Sequence, residues 1–230
     1  MQRIGMVNGS PRGEKSASYY FCQEISKMLN PTVGTVEIIT ALHYGDQTSR
    51  ATVFEAMAQL DTLIFVFPLY IDSIPSNLLD FLTEFADFYH QRKQSGLTIN
   101  ALPRVYAVCN NGFIEGTQNR TALKIMEYYA QALGMQWRFG IGIGGGEFMR
   151  NTQGQIPLQS KVKNRVYQAL LQLKTDIETN EVTLQKNRFV NPSISKNLFM
   201  MVGNYNWLGM AKQFRLRKRD LYAQPYRMEE

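Results

Sequence analysis

Five times in about 180 residues, a short apolar run is followed by a segment whose apolar side chains recur at helical spacing. Residues 4–7 precede Phe21, Ile25, Met28 and Leu29. The β-branched run TVEIIT (35–40) precedes a short helix over 51–60. TLIFVF (62–67) precedes Leu78, Leu82, Phe85 and Phe88, and RVYAVC (104–109) precedes Leu123, Met126, Ala130 and Leu133. Residues 137–143 precede Val162, Val166, Leu170, Leu173 and Ile177. A run such as TLIFVF lacks the apolar–polar alternation of a half-exposed strand, so it is covered on both faces, as strands of a parallel sheet are. Repeated βα alternation predicts a doubly wound α/β sheet with helices on both faces. Gly134 stands where the fourth helix needs a C-terminal residue of left-handed conformation. In this architecture ligands bind beyond the carboxyl ends of the strands, where the strand order reverses. The strand-end loops are therefore the places to look for chemistry.

The first of these loops is NGSPRGEKSAS (8–18). Gly9 and Gly13 allow a sharp turn and a close backbone approach. Ser10, Ser16 and Ser18 supply hydroxyls, and Arg12 and Lys15 supply positive charge. A helix beginning at Ser16 or Ala17 directs free N–H groups and its positive dipole end into the loop, a combination suited to a phosphate. The loop is not a Walker A motif, because Gly13 is followed by Glu14 rather than Lys. A polar turn with a serine cap accounts for this loop equally well when it is taken alone. The third strand runs into FPLYIDSIPS (67–76), where two prolines bracket Leu69, Tyr70 and Ile71. Apolar, aromatic residues at a strand mouth suit a flat apolar ligand, or packing on the protein itself or on a second subunit. The fourth strand runs into CNNGFIEG (109–116), where the backbone N–H groups of Asn110, Asn111 and Gly112 suit ring carbonyls and nitrogens and Phe113 can cover a ring edge. The alternative there is an ordinary Asn-Gly turn. GIGIGGGEFM (140–149) lacks GxGxxG spacing and follows the last strand, so it is no dinucleotide fingerprint. Gly144–Gly146 are expected to open space at the rim of the site, with Glu147 a solvated charge.

Taken together, one loop wants a phosphate and two want a flat, hydrogen-bonding ring, the two halves of FMN. The segments GSPRGEKS (9–16), PLYIDSIPS (68–76) and NNGFIEG (110–116) resemble the NAD(P)H-dependent FMN reductase-like group of flavodoxin-fold proteins, over about residues 1–175. The resemblance implies a five-stranded flavodoxin-like sheet of order 2-1-3-4-5; the C-terminal extension, read from its own residues as helical, lies outside it. It implies FMN as cofactor, NADPH or NADH as reductant, an unidentified small-molecule acceptor, and a homodimer. The phosphate falls to Ser10, Arg12, Ser16 and Ser18, around the helix start at Ala17. The ring is flanked by Pro68, Leu69, Tyr70 and Ile71 and bordered by Asn110, Asn111, Gly112 and Phe113. The compact cysteine cluster of iron–sulfur relatives is missing, so no iron–sulfur centre is expected. FMN carries the chemistry, and no side chain is assigned as a catalytic acid or base. His43 and His90 fall at or near helix ends away from the loops.

Two cysteines, Cys22 and Cys109, have no cysteine nearby. They are expected to be reduced core residues of a cytoplasmic protein with no metal site. The charge is uneven. Residues 181–230 hold nine basic and four acidic residues, leaving the first 180 nearly neutral out of a total of +6. The chain is accordingly divided into an FMN-binding domain, 1–180, and a basic, aromatic- and Met-rich extension, 181–230. The extension carries Leu198–Met201, Tyr205–Met210 and then RLRKR (215–219). It reads first as a helix that packs on the site or on a partner subunit, and otherwise as an interfacial helix on an anionic membrane. A lone basic cluster without an accompanying motif argues against nucleic acid. A flavodoxin-like electron carrier and a non-enzymatic docking protein are the competing functions. Electron carriers of this fold tend to be acidic, and a pI near 9.3 speaks against that one.

Overall fold

In a computed structural model the chain divides into two compact units, Met1–Ser193 and Ile194–Glu230. The structure describes all residues except 42–46, 97–101, 181–182, 184 and 224–230, so His43 lies outside the described residues. The first unit contains strands β1 (Gln2–Asn8), β2 (Gly34–Thr40), β3 (Thr62–Pro68), β4 (Arg104–Asn110), β5 (Gln136–Ile143) and β6 (Arg188–Val190). All pair in parallel, in the order β2-β1-β3-β4-β5-β6. The flavodoxin-like order expected from the sequence is present, extended at its edge by β6. That strand is three residues long with an exposed Arg188 and makes no apolar run.

Helices α1 (Ala17–Met28), α2 (Gln47–Ala58), α3 (Ser76–Gln94), α4 (Arg120–Ala132), α5 (Gly146–Asn151) and α6 (Asn164–Glu178) cover the sheet. β3 shows why the apolar runs are continuous. Leu63, Phe65 and Phe67 face the layer formed by α2, α3 and α4, while Ile64 and Val66 face α1, α5 and α6. Cys22 and Cys109 are free, buried and on opposite faces, and burial pushes both thiols up. His90 lies exposed near the end of α3.

A buried polar cluster fastens α6 to the sheet at the edge where β4 begins. Asp176 accepts from Arg104 Nη2 (2.8 Å), Arg138 Nη2 (2.9 Å) and Tyr106 Oη (2.6 Å). Burial, then the bond to Asp176, pushes the Tyr106 phenol up, and the same carboxylate holds the Arg138 guanidinium firmly protonated. A second buried cation, Lys163, donates from Nζ to the carbonyl of Met149 (3.0 Å) and so anchors α5; burial lowers its pKa.

The second unit is built on α7 (Lys196–Gln213), which Ser195 caps by accepting from Leu198 N (3.3 Å). Apolar residues lie nearly all round this helix, Tyr205 and Trp207 among the exposed ones. The basic cluster follows in a short 3-10 turn, Lys218–Tyr222, where Asp220 accepts from Arg217 N (2.7 Å). Among the described residues, no helix is long and apolar enough to cross a membrane.

Removing one partner of a buried ion network leaves an uncompensated charge, at about 3–5 kcal/mol. Asp176→Asn strands two buried guanidiniums and is expected to lower the melting temperature by on the order of 10 °C. A melting temperature within about 2 °C of wild type would show that the cluster is not what fastens α6.

Candidate functional site

β3 and β4 end level with one another, Pro68 beside Asn110, and β1 ends two residues earlier, with Asn8 beside Val66. The chain leaves β1 in one direction toward β2 and occupies β3 on the other side. The loops after these strands therefore diverge over a crevice, as at the switch point of any doubly wound sheet. A cavity of about 140 Å³ lies there, lined by Ser10, Arg12, Ser16, Ala17, Ser18, Pro68, Leu69, Tyr70, Asn110, Asn111, Gly112 and Glu147. Eleven of the thirteen residues singled out in the sequence line it. Ile71 and Phe113 do not, and both are exposed near its mouth, Ile71 completely. Glu147 lines it without having been expected.

The first loop is held by its own polar groups. Asn8 Nδ2 donates to Gly13 O (3.0 Å), and Asn8 Oδ1 accepts from Ser10 N (3.2 Å). Gly13 turns the chain at φ 55°, a left-handed conformation that favours glycine. Gly9 serves packing rather than approach to a ligand, since a Cβ there would lie 2.6 Å from Leu78 Cδ2. Ser16 caps α1: its Oγ accepts from Tyr19 N (3.0 Å) and donates to Gly13 O (2.6 Å), so its proton is engaged within the loop. The N–H groups of Ala17 and Ser18 have no acceptor among the described residues. The buried hydroxyls of Ser10 and Ser18 accept from Arg12 N (3.3 Å) and Asn110 Nδ2 (2.9 Å) and keep their protons for another partner. Two backbone donors, two hydroxyls and the Arg12 guanidinium thus converge on one end of the cavity, at the positive pole of α1.

Asn110 ties the three loops together, because its Nδ2 reaches both Ser18 Oγ and Phe67 O (3.0 Å) and its carbonyl accepts from Leu69 N (2.7 Å). The fourth-strand loop departs from expectation in one respect. The N–H of Asn111 is engaged by Ile143 O (3.1 Å), which leaves those of Gly112 and Phe113 as the donors with no acceptor among the described residues. The Asn111 side chain donates to Glu115 O (3.1 Å), while its Oδ1 is buried and accepts nothing. A buried acceptor without a donor is costly, and this atom has no partner among the described residues.

The glycines after β5 close the structure instead of opening it. The N–H groups of Gly144, Gly145 and Gly146 donate to Val190 O, Phe113 O and Asn111 O. A Cβ on Gly144 would lie 2.0 Å from Ile114 O, which only glycine avoids. This stitching brings the first turn of α5 to the cavity mouth. Glu147, read from the sequence as a solvated charge, there pairs with Arg12 across 135 positions of sequence and lies 3.6 Å from Arg150. A contact that distant has no local signature. The available hint was only an acid directly after a strand end.

The third-strand loop is strained. Tyr70 and Ser73 exchange two backbone hydrogen bonds of 3.0 Å around Ile71 (φ 48°) and Asp72 (φ 56°). Positive φ at both central positions gives the mirror-image tight turn, in which a β-branched residue is an outlier.

No family model matches the sequence, and no curated protein matches it. Solved structures do match in fold. An NADH:FMN oxidoreductase in its apo form is 14% identical, with 80% of this chain and 91% of that one covered and a TM-score of 0.55. An FMN-dependent NADH-azoreductase from Bacillus anthracis, in complex with FMN, is 14% identical, with 77% and 100% covered and a TM-score of 0.51. An NAD(P)H:quinone oxidoreductase from Methanothermobacter marburgensis is 12% identical, with 80% and 98% covered and a TM-score of 0.51. At these identities what is shared is the fold, and the first unit is a flavodoxin-like α/β domain.

Left-handed backbone costs a residue with a Cβ about 1–2 kcal/mol. Ile71→Gly is therefore expected to raise the melting temperature by about 2–4 °C, whereas Ile71→Ala, which keeps the Cβ, is not. Equal melting temperatures for the two variants would show that exposure of the side chain, and not backbone strain, sets the stability at this position.

Proposed function

We propose that this chain is an FMN-dependent NAD(P)H oxidoreductase that passes reducing equivalents from a nicotinamide to a small-molecule acceptor. One observation carries the reading: the cavity at the switch point is lined by residues whose anion donors are unengaged, the N–H groups of Ala17 and Ser18, the hydroxyl protons of Ser10 and Ser18, and Arg12. A phosphomonoester satisfies these donors, and the apolar Pro68, Leu69 and Tyr70 on the same wall suit the ring it carries. The FMN named for two of the solved structures that share the fold, and the nicotinamide named for all three, support the reading.

When bound, FMN would supply hydride acceptance and onward electron transfer. The chain supplies position and electrostatics. Ser10, Ser18, the N–H groups at the start of α1 and Arg12 would hold the phosphate, with Ser16 and Ala17 fixing the helix end. Pro68, Leu69 and Tyr70 would flank the ring and keep water from one side of it, while Ile71, fully exposed, stands off the cavity wall. Asn111 Oδ1 would take a ring N–H, and the N–H groups of Gly112 and Phe113 are donors suited to negative charge on the reduced ring. Asn110 positions all three loops. The acceptor is drawn from quinones, free flavin, nitro or azo compounds and metal ions. The active form is a homodimer with exposed Tyr70, Ile71 and Phe113 at the subunit contact, and the two buried free thiols suit the cytoplasm. The flavin domain would run over Met1–Ser193, since β6 belongs to its sheet, rather than over 1–180, and the extension over Ile194–Glu230.

Purified protein should be yellow, and NADH or NADPH should bleach it without oxygen; flavin that stays oxidised with both nicotinamides removes the reading. Charged hydrogen bonds contribute about 1.5–3 kcal/mol each. The double variant Ser10→Ala, Arg12→Gln is therefore expected to weaken FMN binding roughly tenfold or more, with riboflavin, which lacks the phosphate, affected far less. Equal loss for both flavins would place the phosphate elsewhere.

A further inference from the structure

We infer that Glu147 is a built-in competitor for Arg12, which a bound phosphomonoester must displace, and that it thereby lowers affinity and speeds exchange at the phosphate end of the cavity. The inference rests on the flavin reading above. Arg12 and Glu147 are the two charged side chains among those lining the cavity, so its wall is formally neutral. The other anion donors there, the hydroxyls of Ser10 and Ser18 and two backbone N–H groups, are uncharged. Arg12 is the one full positive charge a phosphate can meet on that wall, and its Nη1 donates to Glu147 Oε1.

Glu147 is not free to leave with its backbone. Gly145 and Gly146 are bonded to Phe113 O and Asn111 O, and Lys163 holds the carbonyl of Met149. A phosphomonoester carries about −1.5 to −2 charges at neutral pH. Once it reaches Arg12, the carboxylate stands beside it as a like charge. Both side chains of the pair are nearly half exposed, 49% and 42%, so the Glu147 side chain can rotate outward, toward Arg150, and solvent screens the repulsion. The effect is therefore modest, and its sign is set. Neutralising Glu147 frees Arg12 and removes the one acid among the residues lining the cavity, so anion binding tightens. Were the pair instead a support that orients Arg12, neutralisation would weaken binding.

Quenching of flavin fluorescence reads the outcome directly, with FMN and riboflavin titrated against wild type, Glu147→Gln and Glu147→Ala. Both variants are expected to bind FMN roughly three- to tenfold more tightly and to release it more slowly in stopped flow. Riboflavin affinity should be unchanged, and the FMN advantage should shrink at high salt. FMN affinity that is unchanged or weaker in both variants overturns the inference, as does an equal gain for riboflavin or a gain indifferent to salt. In those cases FMN still binds wild type and the flavin reading stands. Binding of neither flavin to any of the three proteins overturns both.

Discussion

β3 must be buried on both faces, because Leu63 to Phe67 alternate between two helical layers and its one polar residue, Thr62, is itself buried. That burial excludes an edge position and requires helices on both sides of the sheet. Parallel strands joined by helical crossovers follow, since a tight hairpin cannot connect them. All carboxyl ends then fall on one rim. With β2 on one side of β1 and β3 on the other, the loops after β1 and β3 part above the sheet. The cavity is thus a consequence of topology, and the chemistry at its wall is what the individual loops add.

What they add is clearest from the hydrogen bonds that remain unmade. Most polar groups of the three loops are engaged internally: Ser16 caps α1, Asn8 braces the first loop, Asn110 joins three segments and Asn111 N meets Ile143. Buried backbone groups are nearly always paired, so the unpaired few carry information. Ala17 N, Ser18 N and Asn111 Oδ1 belong to buried residues on the wall of one cavity, where the unpaired N–H of Gly112 is exposed to water. The internal bonds hold these groups in place before any ligand arrives, which reduces the ordering cost of binding.

Much of this was legible in the sequence, for a physical reason. Two-sided burial replaces alternation with continuous apolar runs, so β1, β3 and β4 and the stripes of α1, α3, α4 and α6 could be read directly, whereas edge strand β2, half exposed, showed only as a β-branched run. What escaped depends on contacts between distant segments. β6 is too short for a pattern and is held by pairing with β5. Glycines 144–146 looked like open space because sequence records the missing side chain and not the backbone that fills its place. Asp176 lies on a helix whose apolar stripe is plain, and only the fold brings Arg104, Tyr106 and Arg138 to it. Ile71 reverses the usual rule: a β-branched residue argues against a left-handed turn, and the turn forms nonetheless, closed by the Tyr70–Ser73 pair.

The two ends of the sheet handle charge in opposite ways, and the contrast explains where function can reside. At the start of β4, Asp176 is buried, and its acceptors are taken by two guanidiniums and a phenol; the cluster fastens an element and offers nothing to a ligand. At the carboxyl rim the Arg12–Glu147 pair is half exposed, and each partner extends from a backbone that other contacts fix. Water weakens such a pair, so it stabilises the fold little. The same weakness lets an incoming anion dissolve it at small cost. A pair that contributes little to folding, placed on the wall of a cavity whose remaining donors are neutral, has its effect on which ligand stays and for how long.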